Sequence, residues 1–381
     1  MIRNRPVPYI LPVGLLSLAV ILSACTPFTG FPPPKPNQEA DVKVAVNRLD
    51  IRKDRKEKRS NIKKKRKEVK ESPKTPPLLT GDPCSIRDRG YGIYYPWVKN
   101  LEMGQMLMPK RGAITTKGGF DLIIHFHGGN AIRKHIARSM QGAFVVGIDL
   151  GAVSSAYGKP FKEPEVFVEL LEEIEHAVAQ YTGKKHAHIR NLGLTGYSAG
   201  YGAIRAVLRQ KMGSKVDAVV LLDGLHSDYA ENGPPKLNSY QMSPFVRFAR
   251  QAAKQKRFMF VSHSSIVPPG YSSTTETTSY LTNSIKAEIK HQLTQENRYL
   301  TRYQLADKGN FLMRGYLGDQ KGDHCAHLAL ITEMAQKLEQ RWQTPVAKGK
   351  RYSPPKPLPP GNKSNKKKDV PVRPGAKAAR V

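Results

Sequence analysis

Residues 191–200 read Asn191-Leu192-Gly193-Leu194-Thr195-Gly196-Tyr197-Ser198-Ala199-Gly200. The first half is a short apolar run without strict alternation, as expected of a strand covered on both faces. The second half is a G-x-S-x-G pentapeptide, and a helical segment runs from Ala199 to about Lys211. Strand, pentapeptide and helix in that order describe a sharp turn. Glycines flank it because side chains there would meet neighbouring strands. The turn pushes a hydroxyl outward at a helix N-terminus, where unpaired N–H groups favour developing negative charge. Ser198 is therefore the candidate nucleophile. The competing reading is a tightly packed Gly-rich crossing with an incidental serine, and only the flanking elements tell against it.

Strands and helices alternate on both sides of this turn. Apolar runs at 120–126, 143–148, 216–222, 257–262 and 311–317 read as strands, with 191–195 among them. Helical periodicity covers 131–140, 163–181, 243–255 and a long segment from His324 to Trp342. In the second of these, Val166, Leu170, Ile174 and Val178 fall four apart on one face, and Gly183 is the stop signal. Short connections between such elements imply a mostly parallel twisted sheet with helices on both faces, an α/β fold. Ligands of open parallel sheets bind beyond the carboxyl ends of the strands. Chemistry is therefore expected at His127, Asp149, Ser198, Asp223, His263 and the Asp323-His324 segment.

A base must reach Ser198 from another strand end. Gly322-Asp323-His324-Cys325-Ala326-His327 follows the last strand and opens the last helix. His324 is favoured because it lies at the loop-to-helix junction, with His327 as the alternative base. The two are three residues apart and share a helix face. A His-x-x-His pair also suggests metal, but a catalytic zinc site needs a third ligand and no matching spacing exists, so no metal is expected. The acid is expected at Asp223, after Val219-Val220-Leu221-Leu222, because a buried strand-end carboxylate needs a partner such as an imidazole N–H. The loop after His263 carries no carboxylate before Glu276. Asp149 is expected to shape its own loop through side-chain bonds. His226 and His263 either line the site or serve structure. Residues 268–280 form a rim, and residues 228–243 are too short for a large lid.

His127-Gly128-Gly129 after an early strand, the turn at Ser198, and a histidine after the last strand together resemble the α/β-hydrolase superfamily. The resemblance covers residues 120–342 and keeps the order Ser, acid, His. It implies an oxyanion site made by the backbone N–H groups of Gly129 and Ala199. It also implies a serine esterase using Ser198, His324 and Asp223 through an acyl-enzyme, with no cofactor. An acid one strand early departs from the family's commonest pattern.

The ends differ from the middle. Arg3 and Arg5 precede an apolar run to Leu22, short for a membrane span, and Leu22-Ser23-Ala24-Cys25 follows. This resembles the lipobox of bacterial lipoproteins, with residues 1–24 as signal peptide and Cys25 acylated, palmitate being one expected chain. The alternative is an uncleaved anchor with Cys25 as an ordinary thiol. Either way the rest of the chain is expected outside the cytoplasm. Thr26 implies sorting to the outer membrane, facing the periplasm or the exterior. Only Cys84 and Cys325 remain among the three cysteines. In an oxidising compartment they are candidates for a disulfide.

Lysine and arginine number 62 against 31 acidic residues, a formal net charge of +31. Much of it lies in 25–80, read as a basic tether, and in 345–381, read as a Pro- and Lys-rich disordered tail, leaving 81–344 as the folded domain. These segments read first as solvated spacers and second as contacts for anionic envelope polymers or lipids. Nothing that reads bases accompanies the charge, which argues against nucleic acid. The expected partner is an acyl-containing substrate. Rival readings are an amidase or peptidase of the cell envelope and a non-catalytic envelope-binding protein on a hydrolase scaffold.

Overall fold

The computed structural model describes residues 81–99 and 101–357. The signal segment, Cys25, the tether to residue 80 and the tail beyond 357 lie outside the described residues. The strands are β1 (Gln105–Leu107), β2 (Gly119–Phe126), β3 (Phe144–Ile148), β4 (His188–Tyr197), β5 (Ala218–Leu222), β6 (Phe258–His263), β7 (Lys290–Gln295), β8 (Thr301–Lys308) and β9 (Phe311–Leu317). The helices are α1 (Gly129–Ile136), α2 (Ser154–Gly158), α3 (Pro164–Thr182), α4 (Tyr201–Val207), α5 (Ser239–Ala253), α6 (Thr274–Ser284), α7 (Lys321–Ala326) and α8 (Leu330–Trp342).

One nine-stranded sheet runs in the order β1-β3-β2-β4-β5-β6-β9-β8-β7. Its middle, from β3 to β9, is parallel throughout. Strands β1, β8 and β7 pair antiparallel at the two edges. This is an α/β arrangement covered by helices on both faces. Alternate residues of the central strands feed two separate cores. Leu122 and Ile124 of β2, with Val219 and Leu221 of β5, face one layer, packed by Leu170 and Ile174 of α3 and Phe245 of α5. Ile123, Val220 and Leu222 face the other, packed by Ile132 of α1 and Met334 and Leu338 of α8. Burial on both sides explains why these strands read as continuous apolar runs. Helix α3 buries Leu170, Ile174 and Val178 and ends at Gly183 with φ +70°, a left-handed stop.

The structure departs from the sequence reading in several places. Strands β1, β7 and β8 were not expected; β7 reads Lys-His-Gln-Leu-Thr-Gln and is largely exposed, so it carries no apolar pattern. The helix from Ala199 begins as a 3-10 turn, Ser198–Gly200, and ends at Val207. The last helix is broken by a 3-10 turn at His327–Ala329 between α7 and α8. The boundary at 344 is also too early. Ala113 N–H donates to the Val346 carbonyl, Ala347 N–H to Gln141 and Tyr352 N–H to Lys110, so residues 345–352 pack on the domain. Cys84 and Cys325 form a disulfide across 241 residues, tying the start of the described chain to α7. Among the described residues no helix is long and apolar enough to cross a membrane.

Candidate active site

The carboxyl ends of β2, β4 and β5 each finish on a non-glycine residue with positive φ: His127 at +71°, Ser198 at +47° and Asp223 at +42°. Such backbone costs energy and persists where packing over-determines it. At Ser198 the reason is visible. The turn brings Gly200 so close to β2 that a Cβ would lie 2.1 Å from the Phe126 carbonyl oxygen. A Cβ on Gly224 would lie 2.3 Å from the Ser198 carbonyl oxygen. The two strand ends are thus pressed together, and Ser198 and Asp223 with them. Ser198 is half-buried, and its hydroxyl takes no hydrogen-bond partner among the described residues.

Asp223 is buried and fully engaged. Its Oδ2 accepts from His324 Nδ1 at 2.7 Å. Its Oδ1 accepts from the Ser264 N–H at 2.8 Å and the Thr274 hydroxyl at 2.7 Å. Burial alone would raise this carboxyl, but the His327 and His324 imidazoles and the Ser264 N–H outweigh it and hold it well below the ordinary carboxylate range. His324 remains about one-quarter exposed. With Nδ1–H given to Asp223, its Nε2 is the basic nitrogen. The ring stacks on Tyr197, the residue before Ser198, with centroids 4.6 Å apart. Tyr197 is stacked on its other neighbour His127 at 5.8 Å.

His327, the alternative base, lies elsewhere. It is fully buried, its Nδ1 bonds the Ser262 hydroxyl at 2.8 Å, and its ring meets Tyr316 edge-on. Burial pushes its pKa down to about 4, with Asp223 opposing and His324 adding to the shift. Nε2 has no partner among the described residues.

The loop after β2 differs from expectation. The N–H groups of Gly128 and Gly129 both point at the Asp149 carboxylate, at 2.6 Å and 3.2 Å. The amide expected to serve an oxyanion is therefore already engaged. Asp149 accordingly caps the start of α1 rather than shaping its own loop. His127 turns its Nδ1 to the Tyr157 hydroxyl at 2.9 Å. Ala199, the residue after Ser198, lines the same pocket.

That pocket, about 280 Å³, is bounded by Ser198, Ala199, Val153, Tyr201, His226 and Tyr271. His226 Nδ1–H donates to the Ser272 carbonyl at 2.9 Å, and the ring packs between Tyr201 and Tyr271. Val153 and Tyr271 are 60% and 40% exposed, which leaves an apolar rim on a shallow site. His263 is buried, bonded to Ser264 and Thr275, and does not line the pocket. Glu276 completes a capping box with Ser273 at the start of α6 and takes no part in the site. Sequence reasoning missed Ser264, Thr274 and Tyr197. The Ser/Thr-rich rim at 268–280 contains Thr274 but not Ser264, and nothing in the sequence singled out the two donors to Asp223.

No family model and no curated protein matches the sequence. Among solved structures, an uncharacterised protein from Capnocytophaga ochracea aligns with 61% of this chain and 60% of its own, at 10% identity and a TM-score of 0.36. A Pyrococcus horikoshii acylaminoacyl peptidase aligns with 68% of this chain and 42% of its own, at 12% identity and 0.36. A truncated carbohydrate esterase from gut microbiota aligns with 67% of this chain and 100% of its own, at 12% identity and 0.39. The chain thus spans less than two thirds of the length of the first two.

Proposed function

We propose that this protein is an extracytoplasmic serine hydrolase that cleaves carboxylic esters through an acyl-enzyme on Ser198. The observation that carries the reading is the hydrogen bond from His324 to the buried Asp223, beside a strained, unpartnered serine. Asp223 holds Nδ1 protonated and compensates the imidazolium that forms. His324 Nε2 takes the Ser198 proton as the hydroxyl oxygen bonds the acyl carbon, then returns that proton to the departing alcohol. Water repeats the sequence on the acyl-enzyme, releasing the acid and restoring Ser198. The Ala199 N–H supplies one donor to the oxyanion, and Gly129 adds a second only after its amide leaves Asp149. Cys25 and the signal-like segment before it support a lipid-anchored location in a bacterial envelope. The basic tether and tail would there meet anionic polymers or lipids.

A fluorophosphonate probe tests the assignment. Wild type should be labelled and Ser198→Ala should not; equal labelling of both refutes it. Turnover of a 4-nitrophenyl ester series beside matched anilides separates an esterase from an amidase, and absence of both leaves only a binding role.

A further inference from the structure

A second cleft, about 500 Å³, opens beside the Ser198 pocket and shares Ser154 with it. Lys159, Lys162, Arg205 and Arg209 line it, and no carboxylate does. Among the described residues none of the four forms an ion pair, whereas Arg133, Arg190, Arg302 and Arg314 on the same domain all do. The two guanidinium groups are nevertheless held in place. Arg205 spends one N–H on the Gln241 side chain at 2.9 Å. Arg209 spends one on the Tyr240 carbonyl at 2.9 Å and lies over the Tyr240 ring at 4.1 Å. These neutral acceptors orient the forks while leaving their charge uncompensated and most of their donors unspent.

Arg209 shows the cost. Its pKa is pushed down by burial first, and by Arg205 and Arg247 against the pull of Tyr240. Pre-oriented cations without a counter-charge are stabilised when an anion enters. The wall between cleft and pocket is thin: the Tyr201 hydroxyl, at the pocket, bonds Ser154 Oγ at 3.2 Å. Gln241 also bonds the Asp228 carboxylate at the pocket's edge, at 2.6 Å, so one side chain braces both sites. Another basic cleft, lined by Lys110, Arg111, Lys348 and Arg351, shares no residue with the Ser198 pocket.

We propose that the Arg205–Arg209 cleft is an anion subsite that seats phosphate or carboxylate groups of the substrate while its acyl group lies at Ser198, so that the substrate is an acylated polyanion. This assignment rests on Ser198 being the nucleophile.

The test compares two fluorophosphonates of equal length, one ending in a carboxylate and one in a methyl group. At low salt the carboxylate probe should label wild type about tenfold faster. The advantage should vanish in R205Q/R209Q and persist in R111Q/K348Q, which removes the same charge from the other cleft. Equal rates for the two probes in wild type overturn the subsite. Equal loss of the advantage in both double variants reduces it to net charge and overturns it as well. Absence of labelling by either probe overturns the Ser198 reading instead. Protection by tripolyphosphate but not tricarballylate assigns phosphate, and the reverse assigns carboxylate. Protection by neither overturns the subsite.

Discussion

His324 and His327 lie three residues apart, yet their surroundings have almost nothing in common. His324 reaches past the end of β5 to Asp223, stacks on Tyr197 and keeps about one-quarter of its side chain exposed. His327 turns inward to Ser262 of β6 and Tyr316 of β9 and is fully buried. The first has a carboxylate that holds its Nδ1. The second sits where burial penalises protonation, at a pKa of about 4. The chemical role of an imidazole here follows from partner and exposure, not from residue type or helical spacing.

Substitutions can break this contrast. His324→Ala should lower kcat by about 10⁴-fold with little change in melting temperature, because a triad acts as a unit. Steady-state kinetics on any accepted ester, beside a thermal scan, checks both halves; a His324→Ala enzyme that keeps wild-type turnover ends the assignment. Asp223→Asn should cost about 10³–10⁴-fold in kcat by losing the tautomer control at Nδ1.

The tether of this region is tested through its disulfide. Replacing Cys84 and Cys325 together with serine should lower stability by about 4 kcal/mol, since the bond closes a loop of 241 residues. Denaturant titration of oxidised wild type and variant measures it. His327→Ala should show the inverse of His324→Ala. Stability should fall by about 3 kcal/mol, from the cavity and the orphaned Ser262 hydroxyl, while kcat stays within about tenfold.

The smallest effect is on acid stability. His327 titrates near 6.5 when unfolded and about 4 when folded. Between these values the unfolded chain binds the extra proton, so stability is lost as pH falls from about 6.5 toward 4. At pH 5 this group should contribute about 2 kcal/mol of the loss. His327→Asn, which can still bond Ser262, should shallow the decline measured by melting temperature against pH. His125 and His135, also pushed by burial to about 4, should keep it from vanishing. An unchanged slope in His327→Asn would show that its burial does not govern protonation.

Much of the fold was legible because the parallel centre leaves a strong mark: strands buried on both faces are largely apolar, and most run into a polar residue. The edges left none. Strand β7 is exposed and charged, and nothing local separates it from a loop. The turn at Ser198 was legible for a steric reason, since Gly196 and Gly200 leave room that side chains would fill. The engagement of the Gly129 amide with Asp149 was not legible, because the run His127-Gly128-Gly129 says nothing about which way its amides point. Only the neighbouring strand, delivering Asp149, fixes that.

Composition and order along the chain by themselves determined the layered α/β architecture, the turn at Ser198, and the set of strand ends where chemistry can gather. Those depend on local pattern: apolar period, glycine placement and charge. The tertiary structure alone decided that Asp223 meets His324 and not His327, that Cys84 meets Cys325, that residues 345–352 belong to the domain, and that four cations share a cleft beside Ser198. Each of these joins residues distant in sequence, and such contacts are set by how the layers pack, which no local pattern encodes.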